Sequence, residues 1–299
     1  MYRNQWATIA TPYKTYGISF DMRTLEGRQG NFSLGTGLGV YRDVAGDNDL
    51  GITNAVLSLS GIIKLDQKQY LTVGAQGGFE QRSIDANKQE WDSQYDGSGH
   101  NPVYSSEEEV SYNQGFGAGD INAGIAWMYS ESKTTLRSND NFSVRAGIVY
   151  QHIMGQELKY GAGLEKENLY RKLSFHGASN LAVKNSNYSF KPSFIYQRQG
   201  PNQEILLGTL VRYTLGFDSK YTGLLQKSAV SIGIHTRVGD AVIPSIGYEL
   251  SHWKILFSYD SNFSKLRSAS NRVGGFELTL TFLNPSPFAS GKGHVARFN

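Results

Sequence analysis

Apolar residues recur at every second position along nearly the whole chain. Phe32, Leu34, Leu38 and Val40 alternate with Ser33, Gly35, Gly37 and Gly39. Leu71, Val73, Ala75 and Phe79 alternate with Thr72, Gly74, Gln76 and Glu80. The same holds for Ile121, Ala123, Ile125, Trp127 and Tyr129, and for Phe142, Val144, Ala146, Ile148 and Tyr150. It returns in Val230, Ile232 and Ile234, in Trp253, Ile255, Phe257 and Tyr259, and in Phe276, Leu278, Leu280 and Phe282. A period of two marks a strand whose two faces meet different surroundings. No stretch holds a 3.6-residue period over three turns, so little helix is expected.

Alternation alone fits a soluble sheet with its apolar face inward. Three features favour the inverse arrangement, a membrane barrel. The segments run to about 10 residues or more, the length that crosses a bilayer at a steep tilt, whereas soluble strands average about 5–6. Aromatics (Tyr16, Phe20, Trp127, Tyr150, Tyr196, Tyr213, Tyr248, Trp253) sit near the ends of apolar faces, as in the girdles at membrane–water interfaces. The opposite face carries Gly, Ser, Thr and full charges, which a lumen tolerates and lipid does not. The fold class is therefore all-β, a transmembrane antiparallel β-barrel of about 14 strands.

Fourteen segments are read as strands: 1–8 (cut short), 13–23, 30–44, 50–65, 69–84, 115–130, 141–153, 171–183, 188–198, 204–216, 227–238, 241–250, 252–260 and 273–283. An even number closes the ring with both termini on one side, expected to be periplasmic. The longest connections, 85–114, 154–170 and 261–272, are the fifth, seventh and thirteenth, and so share the opposite, outer side. Connections 25–29, 66–68 and 184–187 are short and even-numbered, while 131–140 and 217–226 are of moderate length. Residues 1–283 form the barrel and 284–299, with Pro285 and Pro287, a periplasmic tail.

Composition narrows the function classes. Lys and Arg total 29 against 26 Asp and Glu in 299 residues, a net charge of +3 that gives no basic surplus for nucleic acid. Only 18% of residues are charged, and 34 glycines accompany 18 tyrosines, 15 phenylalanines and only 7 prolines, which is not a disordered composition. There is no cysteine, hence no disulfide, thiolate metal site or cysteine nucleophile. The chain opens Met1-Tyr2-Arg3-Asn4-Gln5-Trp6 with no apolar leader segment.

Chemistry is sparse. Gly35-x-Gly37-x-Gly39 and Gly115-x-Gly117-x-Gly119 repeat within strands rather than before a helix, and so read as small lumen positions rather than phosphate loops. His152, His176, His235 and His252 fall on strand segments, His100 and His294 outside them. A Ser/His hydrolase site in the wall is the minor reading, polar wall residues the main one. Asp43, Asp47 and Asp49 lack the bidentate Glu of a calcium loop, and Glu107–Glu109 reads as a solvated run. No catalytic residue, metal ligand or cofactor is expected. The charges expected to face the lumen, Asp21, Arg23, Glu80, Arg145, Arg212, Arg237, Lys254 and Glu277, are of mixed sign. Mixed sign fits a paired, filled lumen or an ordinary wet channel lining. The fifth connection, with Trp91, Tyr95, Asp96, Tyr104 and Tyr112, is the leading partner surface, and a lid without a partner is its alternative. Asn262, Phe263 and Arg267 of the thirteenth connection extend that outer surface.

Tyr2-Arg3-Asn4-Gln5-Trp6, followed by Lys14-Thr15-Tyr16-Gly17-Ile18-Ser19-Phe20-Asp21, resembles the N-terminal region of the PorP/SprF family of type IX secretion proteins. Gly37-Leu38-Gly39-Val40-Tyr41-Arg42-Asp43, Leu71 to Phe79, Ser258 to Phe263 and Gly275 to Leu278 continue the resemblance over essentially the whole chain. It implies an outer-membrane barrel of Bacteroidetes-type bacteria that receives the C-terminal domain of a secreted surface protein, such as a gliding adhesin, and holds it at the cell surface. Outer-membrane lipids, and a periplasmic lipoprotein or peptidoglycan-binding component, are the further partners expected. No nucleic acid and no enzymatic activity are expected. A passive or substrate-specific pore is the other reading.

Overall fold

The computed structural model describes residues 1–6, 11–26, 31–85, 92–99, 101, 103–104, 116–131, 142–158, 167–216, 228–264 and 273–283. Its strands, in chain order, are β1 (Tyr2–Gln5), β2 (Tyr13–Glu26), β3 (Phe32–Ala45), β4 (Leu50–Lys64), β5 (Gln69–Ser83), β6 (Phe116–Glu131), β7 (Phe142–Gln151), the short β8 (Glu157–Leu158) and β9 (Glu167–Asn168), then β10 (Lys172–Ala182), β11 (Tyr188–Gln199), β12 (Asn202–Gly216), β13 (Ser228–Arg237), β14 (Ala241–Leu250), β15 (Trp253–Asn262) and β16 (Val273–Phe282). Fourteen of them pair antiparallel, each with its sequence neighbour, in one closed barrel, while β8 and β9 pair with each other inside the β7–β10 connection. A 3₁₀ turn at Asp92–Gln94 is the only helical element among the described residues.

Closure follows from hydrogen bonding in an apolar solvent. An open sheet would leave a row of unpaired amides in lipid, and a ring leaves none. β1 makes the seam, with Tyr2 opposite both Tyr16 of β2 and Leu278 of β16. Gly17 N–H donates to the Met1 carbonyl, and Trp6 N–H to the Gly274 carbonyl.

Burial is inverted relative to a soluble protein. Among the described residues the buried apolar set is only Met128, Ala229 and Ala241. The large apolar residues are outside: Ile18 is 75% exposed, Ile232 66%, Phe20 61% and Leu38 59%. Those positions form a continuous apolar band, as the register alternates them with small and polar residues on the inner face. The aromatics Tyr16, Trp127, Tyr150, Tyr248 and Trp253 are likewise exposed on the outer face.

The strands differ from the sequence reading at a few points. β2 runs on to Glu26 because a bulge between Arg23 and Leu25 returns Leu25 to the outer face. Asp43 lies within β3, as the 30–44 segment has it, and accepts a hydrogen bond from Thr15. His152 is past the end of β7 in a left-handed conformation (φ 58°). His252 belongs to the tight β14–β15 turn.

Two ends can be told apart by their connections. At one, the loop end, β5, β7 and β15 finish and β6, β10 and β16 begin; the other, the turn end, carries the short turns 65–68, 183–187 and 251–252.

Candidate functional site

The inner wall is built by the same alternation that builds the lipid face. Asp21, Arg23, Glu80, Arg145, Arg212, Arg237, Lys254 and Glu277 all share the register positions of inner-wall residues: Asp21 lies opposite Gly37, Glu80 opposite Asn54, Arg212 opposite Ser231 and Glu277 opposite Arg3.

Toward the loop end the charges form a network that crosses the seam. Arg3 donates to Asp260 at 2.9 Å, and its other nitrogen is 4.0 Å from Glu277. Arg237 donates to Asp240 at 2.9 Å and to Asp260 at 3.4 Å, with Glu204 at 3.8 Å. Arg82 donates to Glu80 at 2.7 Å, which also accepts from Asn54. Asp120, on β6, has a carboxylate oxygen 3.1 Å from the His152 ring. The inner face of the loop half thus holds six carboxylates (Asp43, Glu80, Asp120, Glu204, Asp260, Glu277) and four cations (Arg3, Arg82, Lys172, Arg237) among the described strands.

Toward the turn end the balance reverses. Arg212 donates to Glu249 at 2.8 Å and to Thr214 at 2.9 Å. Lys254 approaches the same Glu249 at 3.9 Å, and Lys191 is within its electrostatic reach. Arg145 is exposed on the inner face, with no ion pair among the described residues. Here, among the described strands, six cations (Arg23, Lys64, Arg145, Lys191, Arg212, Lys254) share inner-face register positions with three carboxylates, Asp21, Glu26 and Glu249.

The wall from β3 to β7 is different in kind. Its inner positions include Gly35, Gly37, Gly39, Gly74, Gly78 and Gly124, with Ser58 and Ser60 between them. Gln76 bridges this wall, donating to Ser58 at 2.8 Å and accepting from Asn122 at 3.1 Å. The Tyr41 ring lies against Gly17 and Gly39, and the Ser60 hydroxyl against Gly35.

His235 is hydrogen-bonded to Ser193 at 3.3 Å, and among the described residues no carboxylate bonds its ring. No group of three or more His, Cys, Asp or Glu able to hold a metal ion occurs among the described residues.

At the loop end, the described part of the β5–β6 connection is a compact knot. Gln94 is buried, donates from its side chain to the Tyr104 carbonyl and accepts from the Asn101 amide. Asp96 caps a tight turn: the amide of Ser98, the Ser98 hydroxyl and the Gly99 amide hold its carboxyl below its ordinary value of 3.8. Tyr95 and Tyr104 stand out from this knot, 61% and 51% exposed, beside Val103. Phe263 is also exposed, with its amide donating to Asp240. Asn262 departs from expectation: it closes β15 opposite Ala241 and is buried in the inner wall, because the strand runs two residues beyond the expected end. Trp91, Tyr112 and Arg267 lie outside the described residues.

Sequence reasoning missed Arg3, Asp120, Glu204, Glu249 and Asp260. Their signal was parity. Each stands at an even spacing from an inner-wall residue on the same strand, as Glu204 does from Arg212, but only the cross-strand register makes them partners.

A closed strand ring with lipid-facing apolar residues and a charged, hydrogen-bonded interior defines an integral membrane β-barrel. The family described as type IX secretion system membrane protein PorP/SprF matches residues 1–282, and the chain belongs to it. No curated protein matches the chain. Among solved structures, the crystal structure of BamA from Haemophilus ducreyi lacking POTRA domains 1–3 is similar, with a TM-score of 0.46 and 11% identity. That similarity covers 90% of this chain and 62% of that one.

Proposed function

We propose that this barrel sits in the bacterial outer membrane with its termini in the periplasm and docks a secreted type IX substrate at its loop end. The substrate is an adhesin-like surface protein, a gliding adhesin among the candidates, and it is held through its C-terminal domain. Family membership supplies the pathway. The observation that carries the reading is the pair of exposed tyrosines, Tyr95 and Tyr104, on an internally hydrogen-bonded knot of the β5–β6 connection. Rigid exposed aromatics are the usual anchors of a protein interface. The barrel acts by binding and not by turnover. Tagged barrel purified in detergent from its own cells retains a secreted surface protein through that protein's C-terminal domain. Recovery of the barrel alone, with every surface adhesin still in place after gene deletion, contradicts the reading.

One observation favours a second reading, a pore. Arg145 and Asp21 are exposed on the inner face beside the glycine wall, as channel-lining charges are. Steady single-channel current in planar bilayers supports the pore, and silence supports the docking barrel.

A further inference from the structure

The inner wall is electrically polarised along the barrel axis. The carboxylate surplus lies toward the loop end and the cation surplus toward the turn end, both on residues the fold itself aims inward. Within one strand, β15, Lys254 belongs to the basic group and Asp260 to the acidic one. Six residues separate them, about 20 Å along a strand, or roughly 15 Å along the axis at a tilt near 40°. The least matched members are Arg145, which has no ion-pair partner among the described residues, and Lys254, which reaches only to 3.9 Å from a Glu249 already held by Arg212. At the other end, Asp260 takes both Arg3 and Arg237, while Glu204 stays half-exposed at 3.8 Å from Arg237. Unmatched charge in a narrow lumen with low-dielectric walls makes a strong axial field. Inner-face Asp21 and Arg145 are exposed, so the lumen is open to solvent beside them.

We propose that the lumen takes an extended polypeptide segment of a partner. Its carboxylates lie against Arg145 and Lys254, and its cations lie against Glu204 at the edge of the acidic group. An extended chain rises about 3.3 Å per residue, so the two sets of charges are roughly five residues apart in the guest. The chain's own tail is a poor match, since residues 284–299 contain Lys292 and Arg297 but no Asp or Glu. This rests on the docking reading for its partner, and deepens it by naming the chemistry of the segment that enters.

The test uses the full chain in nanodiscs and two labelled nonapeptides of identical composition, acetylated and amidated. One is Lys-Lys-Gly-Ser-Gly-Ser-Gly-Glu-Glu, and the other is Lys-Lys-Glu-Glu-Gly-Ser-Gly-Ser-Gly. Fluorescence anisotropy at low salt is expected to give roughly tenfold tighter binding of the spaced peptide. Arg145→Gln with Lys254→Gln is expected to remove that preference while the variant keeps the heat-dependent gel mobility of a folded barrel. Arg145→Gln alone, which breaks no ion pair, is the companion variant and is expected to lower the preference severalfold. Equal binding of the two peptides, absence of binding, or a preference that survives both variants overturns the proposal. Co-purification separates the two readings: a partner retained by the double variant leaves docking intact and removes the lumen from it. A native barrel without any partner removes the docking reading even where the peptides discriminate.

Discussion

Arg3 and Asp260 lie 2.9 Å apart, joining the first strand to β15 across the intervening β16. The seam has only four residues of β1 backbone on either side, so this inner-wall ion pair reinforces the place where the ring closes. Asp260 is largely buried and keeps Arg237 when Arg3 is removed. Arg3→Gln is therefore expected to cost about 1–2 kcal/mol, less than breaking a fully buried pair. The check is the temperature at which the folded band disappears on unheated-versus-heated electrophoresis. An unchanged temperature would remove the pair from the closure.

Gly177 of β10 faces Phe194 of β11, and a methyl at Gly177 would meet the Phe194 ring. The ring covers the glycine on the outer face. Gly177→Val displaces it and is expected to cost about 1–3 kcal/mol through overpacking. Gly177→Val combined with Phe194→Ala recovers part of the loss if the clash is the cause, measured by the same melting assay.

The two faces differ most sharply in their response to charge. Ile232 is 66% exposed on the lipid side of β13, and Ile232→Lys is expected to cost about 2–4 kcal/mol at the bilayer midplane. Ser19 lies on the inner face of β2 opposite Gly39, where Ser19→Lys meets water and is expected to change stability by less than about 1 kcal/mol. Urea unfolding from lipid vesicles ranks the pair. Equal costs would mean that the faces have been assigned wrongly.

The β4–β5 turn titrates locally. Asp66 accepts hydrogen bonds from the Lys68 amide and from the Gln69 amide and side chain, and these hold its carboxyl below its ordinary 3.8. A depressed folded value contributes order that is fully present above about pH 4 and is lost as pH falls through the lowered value. Hydrogen exchange at Lys68 and Gln69, corrected for intrinsic rates, is expected to speed up at the acid end of that window. Asp66→Asn is expected to flatten the dependence. The turn also carries Lys68, whose ammonium is held above its ordinary 10.5 by the Glu131 carboxylate at 2.7 Å.

The barrel was legible in the sequence because each strand repeats the same local rule, apolar outward and small or polar inward, over about ten residues. Runs such as Phe276 to Phe282 fix the outward face without reference to any neighbour. The ionic networks were not legible to the same depth. Arg237 on β13 meets Asp260 on β15 only through the stagger of the strands between them. Arg3 reaches Asp260 only because a ring makes the ends of the chain neighbours. Asn262 was misplaced because nothing in Ser261-Asn262-Phe263 marks where pairing with β14 stops.

The central claim is that the loop end, and not the turn end, receives a secreted protein. A photo-crosslinking amino acid at Tyr95 or Phe263, with Lys184 of the β10–β11 turn as control, tests this in living cells. The account predicts that the loop-end positions trap the C-terminal domain of a secreted surface protein and that Lys184 does not. A secreted protein trapped from Lys184 alone, or from none of the three, would contradict it.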